Sequence, residues 1–535
     1  MKKISYIPVL LLMTTLLMVS CDGLLNTDSE RYTFDEDYRV SSEHDSLYAF
    51  VGILSQLQKI GDRYVLLGEL RGDLMETTDD ASLYLKQMQE FNITSDNPYA
   101  STKEYYAVIN NCNYVIQYVD TSVQDGSDKP NYRVMAAAKA IRAWTYLQLV
   151  LNYGSANYIT NAILTSDDVE KTYDEVDLSE LCGLLIDDLL PFKDIEPLNL
   201  GTFASFDAQL SLFPIKFLLG DLYLWSGSYQ NAARMYYDLM YDETLLITDD
   251  YASTWVFENN IPTEKNDPLW YTLFTTTSTE TLGALASSPD YGNAFTLDTL
   301  CALRQIAPTD VAINNWAEQV YFYSTYAATD GDLRADGSVG TTYKSKDGYT
   351  IIENDDPMIL KYLYLSKEET EKVIIVYRNS LLYLRYAEAI NQLGYSQLAF
   401  EAIKSGLNPT VSAKATISKE TTSSGSQPYY LNFSWYKFTN NIGTRMRGLG
   451  NQDDDTTNYI IPANVDTIEY VEDKIVEELA LETAFEGNRF HDLMRVALRR
   501  NDPAYLADKV SKKYTTNKDA INTKLLDTAN WYLPK

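Results

Sequence analysis

Histidine and cysteine are scarce in this 535-residue chain, which contains two histidines and four cysteines. A Ser–His–Asp or Cys–His mechanism would therefore depend on either His44 or His491. The cysteines occur singly, at Cys21, Cys112, Cys182 and Cys301. Structural zinc sites and redox dithiols need closely paired cysteines or a Cys/His cluster, so this spacing argues against both.

Basic residues are scarce as well. Lys and Arg number 44 against 75 Asp and Glu, which gives a formal charge of −31 at pH 7. Nucleic acid and anionic membrane surfaces repel such a protein, so both are unfavourable partners. The same field disfavours polyanionic ligands unless a local basic pocket overrides it, and it favours neutral sugars or neutral-to-cationic peptides. The sequence has no phosphate-binding P-loop and no dinucleotide fingerprint.

An apolar run at 7–19 opens the chain, and it is too short to cross a bilayer as a helix. It follows two lysines and ends at a small residue before Cys21, a pattern typical of a secretory signal. The sharper hypothesis is a lipoprotein signal at 1–20, a lipidated Cys21 and a polar tether at 21–40, followed by one domain at 41–535. The alternative is an ordinary signal peptide followed by a chance cysteine.

Apolar residues recur at three- and four-residue steps in several blocks, which predicts paired helices with glycine turns between them. The blocks are 105–119, 134–153, 178–190, 212–225, 229–241, 382–393, 398–403 and 471–500. Two long stretches, 244–358 and 404–467, are instead rich in Gly, Ser, Thr, Asn, Asp and Tyr, and such long excursions are usually functional. The predicted fold is all-α: a tetratricopeptide-like helical-repeat scaffold with large irregular loops.

Four segments of the chain are similar to the signatures of a known family. They are Arg142-Ala143-Trp144-Thr145-Tyr146-Leu147 with Tyr153-Gly154, Tyr377-Arg378 with Leu384-Arg385-Tyr386-Ala387-Glu388-Ala389-Ile390-Asn391, Glu477-Glu478-Leu479 with Phe485-Glu486-Gly487-Asn488-Arg489-Phe490-His491-Asp492-Leu493-Met494-Arg495, and Asn530-Trp531-Tyr532-Leu533-Pro534. On these motifs the chain resembles the SusD/RagB-like family of outer-membrane nutrient-binding lipoproteins. It departs from many members at 155–158, where they carry Val-Pro after the glycine.

The resemblance implies a lipid-anchored protein on the outer surface of a Gram-negative bacterium. Such a protein captures oligosaccharides and delivers them to a SusC-like TonB-dependent transporter, without catalysis and without a cofactor. Three alternatives stay open: a RagB-like protein that binds peptides, a scaffold that only braces the transporter, and a surface glycoside hydrolase with paired carboxylates. An incidental calcium ion at Asp330–Gly337 is a further option, although Arg334 and Ala335 break the EF-hand pattern.

Sugar rings stack on flat aromatic side chains, and their hydroxyls bind to Asn, Asp, Glu and Arg. The candidate ligand-binding residues on this basis are Glu69, Arg71, Asp73, Asn92, Tyr99, Trp270, Tyr271, Tyr291, Trp316 and Tyr321. An alternative for the first three is an internal salt-bridge network that braces the amino-terminal segment, and each aromatic could simply pack. The carboxyl-terminal charges at Glu486, Arg489, Asp492 and Arg495 are expected to pair along a helix, with His491 packed among them.

Overall fold

Helices form the scaffold, as shown by a computed structural model that describes residues 43–123, 129–203, 206–251, 255–258, 261–265, 270–276, 278–287, 295–324, 327–344, 351–363, 372–423, 425–450 and 458–535. The α-helices are α1 (Glu43–Leu57), α2 (Gly61–Glu69), α3 (Leu83–Gln89), α4 (Lys103–Tyr118), α5 (Pro130–Tyr153), α6 (Ser166–Val169), α7 (Leu178–Leu189), α8 (Ile215–Trp225), α9 (Tyr229–Glu243), α10 (Leu297–Ala302), α11 (Asp310–Ala317), α12 (Asn379–Gln392), α13 (Ser396–Lys404), α14 (Pro409–Ser412), α15 (Ala415–Thr421), α16 (Met446–Leu449), α17 (Thr467–Glu482), α18 (Arg489–Arg500), α19 (Pro503–Ser511) and α20 (Lys518–Leu525). The predicted all-α class is confirmed.

Strands within the described residues are short and pair antiparallel in twos. They are β1 (Met75–Thr77), β2 (Ser155–Asn157), β3 (Glu175–Asp177), β4 (Thr202–Phe203), β5 (Phe206–Asp207), β6 (Trp255–Glu258), β7 (Ile261–Lys265), β8 (Thr281–Ser287), β9 (Ile306–Pro308), β10 (Val320–Ser324), β11 (Ala327–Asp330), β12 (Val339–Lys344), β13 (Ile351–Ile359) and β14 (Lys372–Arg378). Two pairs join distant parts of the chain, since β1 pairs with β9 and β8 pairs with β14. These pairings attach the middle of the 244–358 stretch to β1, which follows α2, and to β14, which leads into α12.

The helix pair α8–α9 shows why small residues occur at its contact. Gly220 faces the ring of Tyr236, and a Cβ at that position would lie 2.3 Å from the Tyr236 ring. The turn between the helices uses Gly227 at a φ of 74°, a left-handed conformation that glycine adopts without strain. The next pair, α12–α13, turns in the same way at Gly394. The predicted helix pairs therefore fold as tetratricopeptide-like hairpins.

The carboxyl-terminal helical block differs from its prediction. The sequence pattern predicts one block over 471–500, whereas the structure has α17 and α18 with a turn at 483–488 between them. Phe485 and Gly487 in this turn both have positive φ, which ends the helical path. Glu486 consequently lies outside the helix that carries Arg489 and Asp492.

The main hydrophobic core runs through the helical scaffold, and a smaller one unites α18–α20 with Trp531. Cys112, Cys182 and Cys301 are free and buried, as expected of small apolar residues. No helix of the described residues is both long and apolar enough to cross a membrane. The predicted signal, the lipidation site at Cys21 and the tether at 21–40 lie outside the described residues.

We expect Gly220→Ala to lower the free energy of unfolding by about 1–3 kcal/mol, because the new methyl group overlaps a fixed tyrosine ring. The Tyr236 hydroxyl donates to Asp221 Oδ1 at 2.7 Å, so the ring cannot easily withdraw. The matched control is Gly183→Ala in α7, where nothing lies within 4 Å of the added methyl. That change should stabilise the helix by about 0.5–1 kcal/mol. Urea denaturation of both variants checks the sign, and equal shifts would contradict the close approach.

Candidate functional site

Glu69, Arg71 and Asp73, predicted as ligand contacts, are buried. The Glu69 carboxylate accepts backbone N–H bonds at 2.8–3.3 Å from residues 485 and 487–489, at the start of α18. Burial raises the pKa of Glu69 to about 7, and these N–H donors oppose that rise. Asp73 accepts two hydrogen bonds from Arg489, at 2.6 and 2.8 Å. The ligand-contact interpretation is therefore corrected, and the bracing network is what the structure shows.

Arg71 bonds to distant parts of the chain. Its guanidinium donates to the Leu67 carbonyl at 2.7 Å, to the Trp531 carbonyl at 2.8 Å and to Asn152 Oδ1. Burial lowers the pKa of Arg71 to about 10. His491 lies beside it and has its pKa held well below 6.5 by burial and by the neighbouring arginines, so its ring is neutral. The expectation that His491 is packed is confirmed.

The large aromatics predicted for the ligand face are buried too. Trp270 donates to Ser338 Oγ at 3.0 Å, and Trp316 donates to the Leu481 carbonyl at 3.1 Å. The Tyr321 hydroxyl donates to Asp332 Oδ2 at 2.6 Å. The structure thus corrects the ligand-contact prediction for these three rings, because each is enclosed and its polar atom has a protein partner.

The remaining predicted residues lie elsewhere. Asn92 is exposed and its Oδ1 accepts from Lys524 Nζ at 2.5 Å, while Tyr99 and Tyr271 are half-buried. Tyr291 lies outside the described residues. Asn92, Tyr99 and Tyr271 retain surface for a ligand, so their roles stay predictions.

A central ion network of buried side chains joins the loops to α17. It comprises Glu280, Asp332, Arg334, Lys361, Arg378, Arg447, Glu478, Glu482 and Glu486. At its centre, Glu482 accepts from Arg334, Arg378 and Arg447 at 2.7, 2.8 and 2.9 Å. Burial alone would raise the pKa of Glu482, but the three guanidinium groups hold it well below its usual range. These charges compensate one another and serve the fold.

The candidate calcium loop belongs to this network. Arg334 donates to both carboxylate oxygens of Asp332, at 2.9 and 2.7 Å. Both oxygens of the Asp332 carboxylate, a possible calcium ligand, are thus hydrogen-bonded to a guanidinium group. Among the described residues, no group of three or more His, Cys, Asp or Glu side chains is placed to hold a metal ion.

A second network links α12 to α18. Arg495 binds Glu388 through two hydrogen bonds, at 2.8 and 2.7 Å, and it also binds Asp492 at 2.8 Å. Burial raises the pKa of Glu388, but Arg495 and Arg499 outweigh that effect and lower it to about 2. The expected pairing of Asp492 with Arg495 is confirmed, whereas Glu486 and Arg489 pair with other elements.

Exposed aromatic rings gather on one segment of the 404–467 stretch. Tyr429, Trp435 and Tyr436 are 53%, 50% and 89% exposed. Trp435 lies edge-on to Tyr241 of α9, with 5.9 Å between ring centroids. We call Tyr241, Tyr429, Trp435 and Tyr436 the aromatic platform. Leaving such rings in water forgoes much apolar burial, and exposed apolar patches of this kind commonly mark binding sites.

Buried neighbours fix the backbone beneath the platform. Phe433 and Phe438 are fully buried beneath it, with 4.9 Å between their centroids. The Tyr237 hydroxyl donates to the Asn432 carbonyl at 2.6 Å, and the Tyr386 hydroxyl donates to the Tyr430 carbonyl at 2.6 Å. The backbone of the segment that carries the exposed rings is therefore fixed to α9 and α12.

Polar groups flank the platform. Lys437 Nζ lies 3.7 Å from the centroid of the Tyr241 ring, in a cation–π contact. The Tyr429 hydroxyl is 3.4 Å from Asp238 Oδ2. Burial and the nearby Asp238 raise the pKa of Tyr429 to about 12, so its hydroxyl remains protonated and can donate. Flat rings with hydrogen-bonding groups at their edges suit a sugar chain.

The sequence prediction missed the platform residues, although the predicted functional stretch 404–467 contains three of the four. The available signal was two aromatic doublets, Tyr429-Tyr430 and Trp435-Tyr436, in a polar stretch without helical periodicity. Two adjacent aromatic residues in a stretch without helical periodicity are not part of an apolar helix face, so at least one of them is a candidate for exposure.

Comparisons with known proteins agree with this architecture. The sequence model of the SusD family matches residues 358–534. The chain is 25% identical over 451 residues to SusD-like protein P2 of Formosa agariphila. The aligned region covers 82% of this chain and 80% of that protein. A SusD superfamily structure from Bacteroides vulgatus has a TM-score of 0.60 at 16% identity, over 94% of this chain and 96% of its own. The chain is SusD/RagB-like.

Another solved structure, Bacteroides fragilis NanU, has a TM-score of 0.58 at 16% identity, over 90% of this chain and 94% of its own. At such identities the structural likeness shows the fold alone. SusD-like proteins are binding proteins rather than enzymes. In this SusD/RagB-like chain, the family match at 358–534 includes Glu482 of the central ion network and the exposed rings of Trp435 and Tyr436.

We expect Glu482→Gln to lower the free energy of unfolding by about 3–5 kcal/mol, because three buried guanidinium groups lose their shared carboxylate. The matched control is Glu469→Gln, since Glu469 is largely exposed and pairs with Arg500 near the surface. This control should change stability by less than about 1 kcal/mol. Thermal and urea unfolding measure both variants. Equal small losses would contradict a central role for Glu482.

The lowered pKa of Glu388 makes the free energy of unfolding decrease at low pH. Its folded pKa is about 2 against an ordinary 4.5, so its contribution is complete above pH 4.5 and is lost as the pH falls toward 2. The shift corresponds to about 3 kcal/mol. In urea titrations between pH 2 and 5, Glu388→Gln should therefore show a shallower fall of stability than the wild type. Parallel curves for the two proteins would contradict the assignment.

Proposed function

We propose that this protein is a lipid-anchored lipoprotein of the outer-membrane surface that captures oligosaccharides and delivers them to a SusC-like TonB-dependent transporter. The similarity to the SusD/RagB-like family supports the class, since proteins of that family are surface lipoproteins of the outer membrane. One solved relative is described as a SusD-like carbohydrate binding protein of Bacteroides vulgatus; it has a TM-score of 0.55 and 14% identity.

The observation that carries the proposal is the exposed aromatic platform on its fixed backbone. A capture protein must bind a passing chain and release it intact, so it needs preformed contact area without strong closure. The exposed ring faces of Trp435 and Tyr436 supply that area. The Trp435 ring already lies edge-on to Tyr241, so it loses little conformational entropy on binding, which favours affinity without a conformational change.

The platform predicts that Trp435→Ala weakens oligosaccharide binding about ten-fold or more, equivalent to about 1.4 kcal/mol, because one stacking surface is lost. Tyr436→Ala should act in the same direction. Isothermal titration against a glycan panel and a peptide library measures the effect. The control is Ile460→Ala, which also removes an exposed apolar side chain but lies outside the platform.

Two other outcomes would change the assignment. Unchanged binding in Trp435→Ala and Tyr436→Ala, with loss in Asn92→Ala and Tyr99→Ala, would place the ligand on the amino-terminal surface instead. Binding to peptides with no response to any glycan would favour the RagB-like alternative.

A further inference from the structure

A small cavity lies where three of the four segments that carry the family resemblance meet. These segments contribute Trp144, Tyr377, Arg385, Asn488 and His491 to its wall. Its volume is about 20 Å³, and a water molecule needs about 10–15 Å³. A sugar ring is several times larger, so the cavity is separate from any site that captures a glycan chain.

His491 presents an N–H donor to this cavity. Its Nε2 lies 3.3 Å from Arg71 Nη2. A guanidinium group only donates, so Nε2 accepts and the neutral ring carries its proton on Nδ1. Nδ1 has no acceptor in the part of the chain that the structure describes, and it is not among the nitrogen atoms that neighbouring groups enclose completely. A molecule inside the cavity can therefore accept this hydrogen bond.

The Asn488 side chain presents a second donor. Its Oδ1 accepts from the Tyr64 hydroxyl at 3.3 Å and from Arg385 Nη2 at 3.2 Å. These bonds fix which end of the amide is the oxygen, and Nδ2 has no acceptor within the described ranges. Buried polar groups in native proteins are nearly always hydrogen-bonded, so Asn488 and His491 both need a partner.

The wall supplies acceptors as well. Asp221 Oδ1 accepts from the Tyr236 hydroxyl at 2.7 Å and from Arg385 Nη1 at 3.3 Å. A carboxylate has about four lone-pair positions, so Asp221 can accept further hydrogen bonds. A bound anion would use only the donors and would be repelled by Asp221, whereas water both donates and accepts. The mixed wall therefore favours water.

The hydrogen bonds of Arg385 at this wall are long. They measure 3.3, 3.2 and 3.5 Å to Asp221, Asn488 and Asp492. Arg495 in the same region binds its carboxylate partners at 2.7–2.8 Å, the ordinary length of a charge-assisted hydrogen bond. The loose contacts of Arg385 indicate that protein atoms alone do not fill the space beside it.

We propose that the cavity is a hydration site, in which one ordered water molecule accepts hydrogen bonds from His491 Nδ1 and Asn488 Nδ2 and donates to Asp221. Buried waters typically make about three hydrogen bonds to polar groups that lack other partners, and this wall offers that number. The water joins α8 to α18 at the point where α5 and α12 also line the cavity. His491 is then a positioning residue, which Arg71 holds in the tautomer that donates to the water.

A crystal structure at about 1.5 Å resolution tests the site directly. We expect a solvent peak about 2.7–3.2 Å from both His491 Nδ1 and Asn488 Nδ2. A crystal soaked in sodium bromide is the control for an anion. An anomalous bromide peak in the cavity, or no peak of any kind between these two side chains, would overturn the hydration site.

Solution NMR provides a second measurement. The chain has only two histidines, so ¹⁵N-histidine labelling gives a spectrum that the His491→Gln variant assigns. We expect His491 to be protonated on Nδ1 and its Nδ1 proton to show a cross-peak to a long-lived water. Protonation on Nε2, or an Nδ1 proton without a water cross-peak, would contradict the proposal.

A pair of valines on β14 supplies matched variants. Val376 is buried and lines the cavity, whereas Val373 packs against a different cluster around Trp270. We expect Val376→Ile to weaken the water cross-peak of His491, because the added methyl group competes with the water for space. Val373→Ile should leave the cross-peak unchanged. Equal cross-peaks in the two variants would place the water outside the cavity and overturn the site.

Discussion

The shared carboxylate of Glu482 is the interaction on which the rest of the structure depends. Three guanidinium groups from a loop turn, a strand end and α16 converge on it within 2.9 Å. The 244–358 and 404–467 stretches have little helical structure of their own to hold them, and this contact ties both to α17. Single buried ion pairs add little net stability, but a buried carboxylate that serves three cations is costly to remove.

The same ion networks also affect the charge of the protein surface. Many of the arginines are turned inward as partners of buried acids, so few remain for the exterior of a chain with a charge of −31. The backbone beneath the platform is held in place because α9 and α12, which support it, belong to the scaffold.

Sequence alone predicted the helix pairs because their signals are local: apolar steps of three and four, and glycines at turns such as Gly227 and Gly394. It could not place Glu69, Arg71 and Asp73, because residues 485–489 and Trp531, which hold them, lie more than 400 residues away in the chain. Charged residues at alternate positions are equally compatible with a ligand groove and with a buried salt-bridge network. The prediction that Trp270 and Trp316 contact a ligand was wrong for a related reason, since a residue outside the long helices can still be enclosed by the rest of the fold.

The contact between Glu69 and the start of α18 links the two ends of the chain. When the polypeptide is made from its amino terminus, the Glu69 carboxylate lacks these four N–H donors until residues 485–489 are present. Contacts of such long sequence separation form late and slowly. The brace around Glu69 is thus completed only after nearly all of the chain is present.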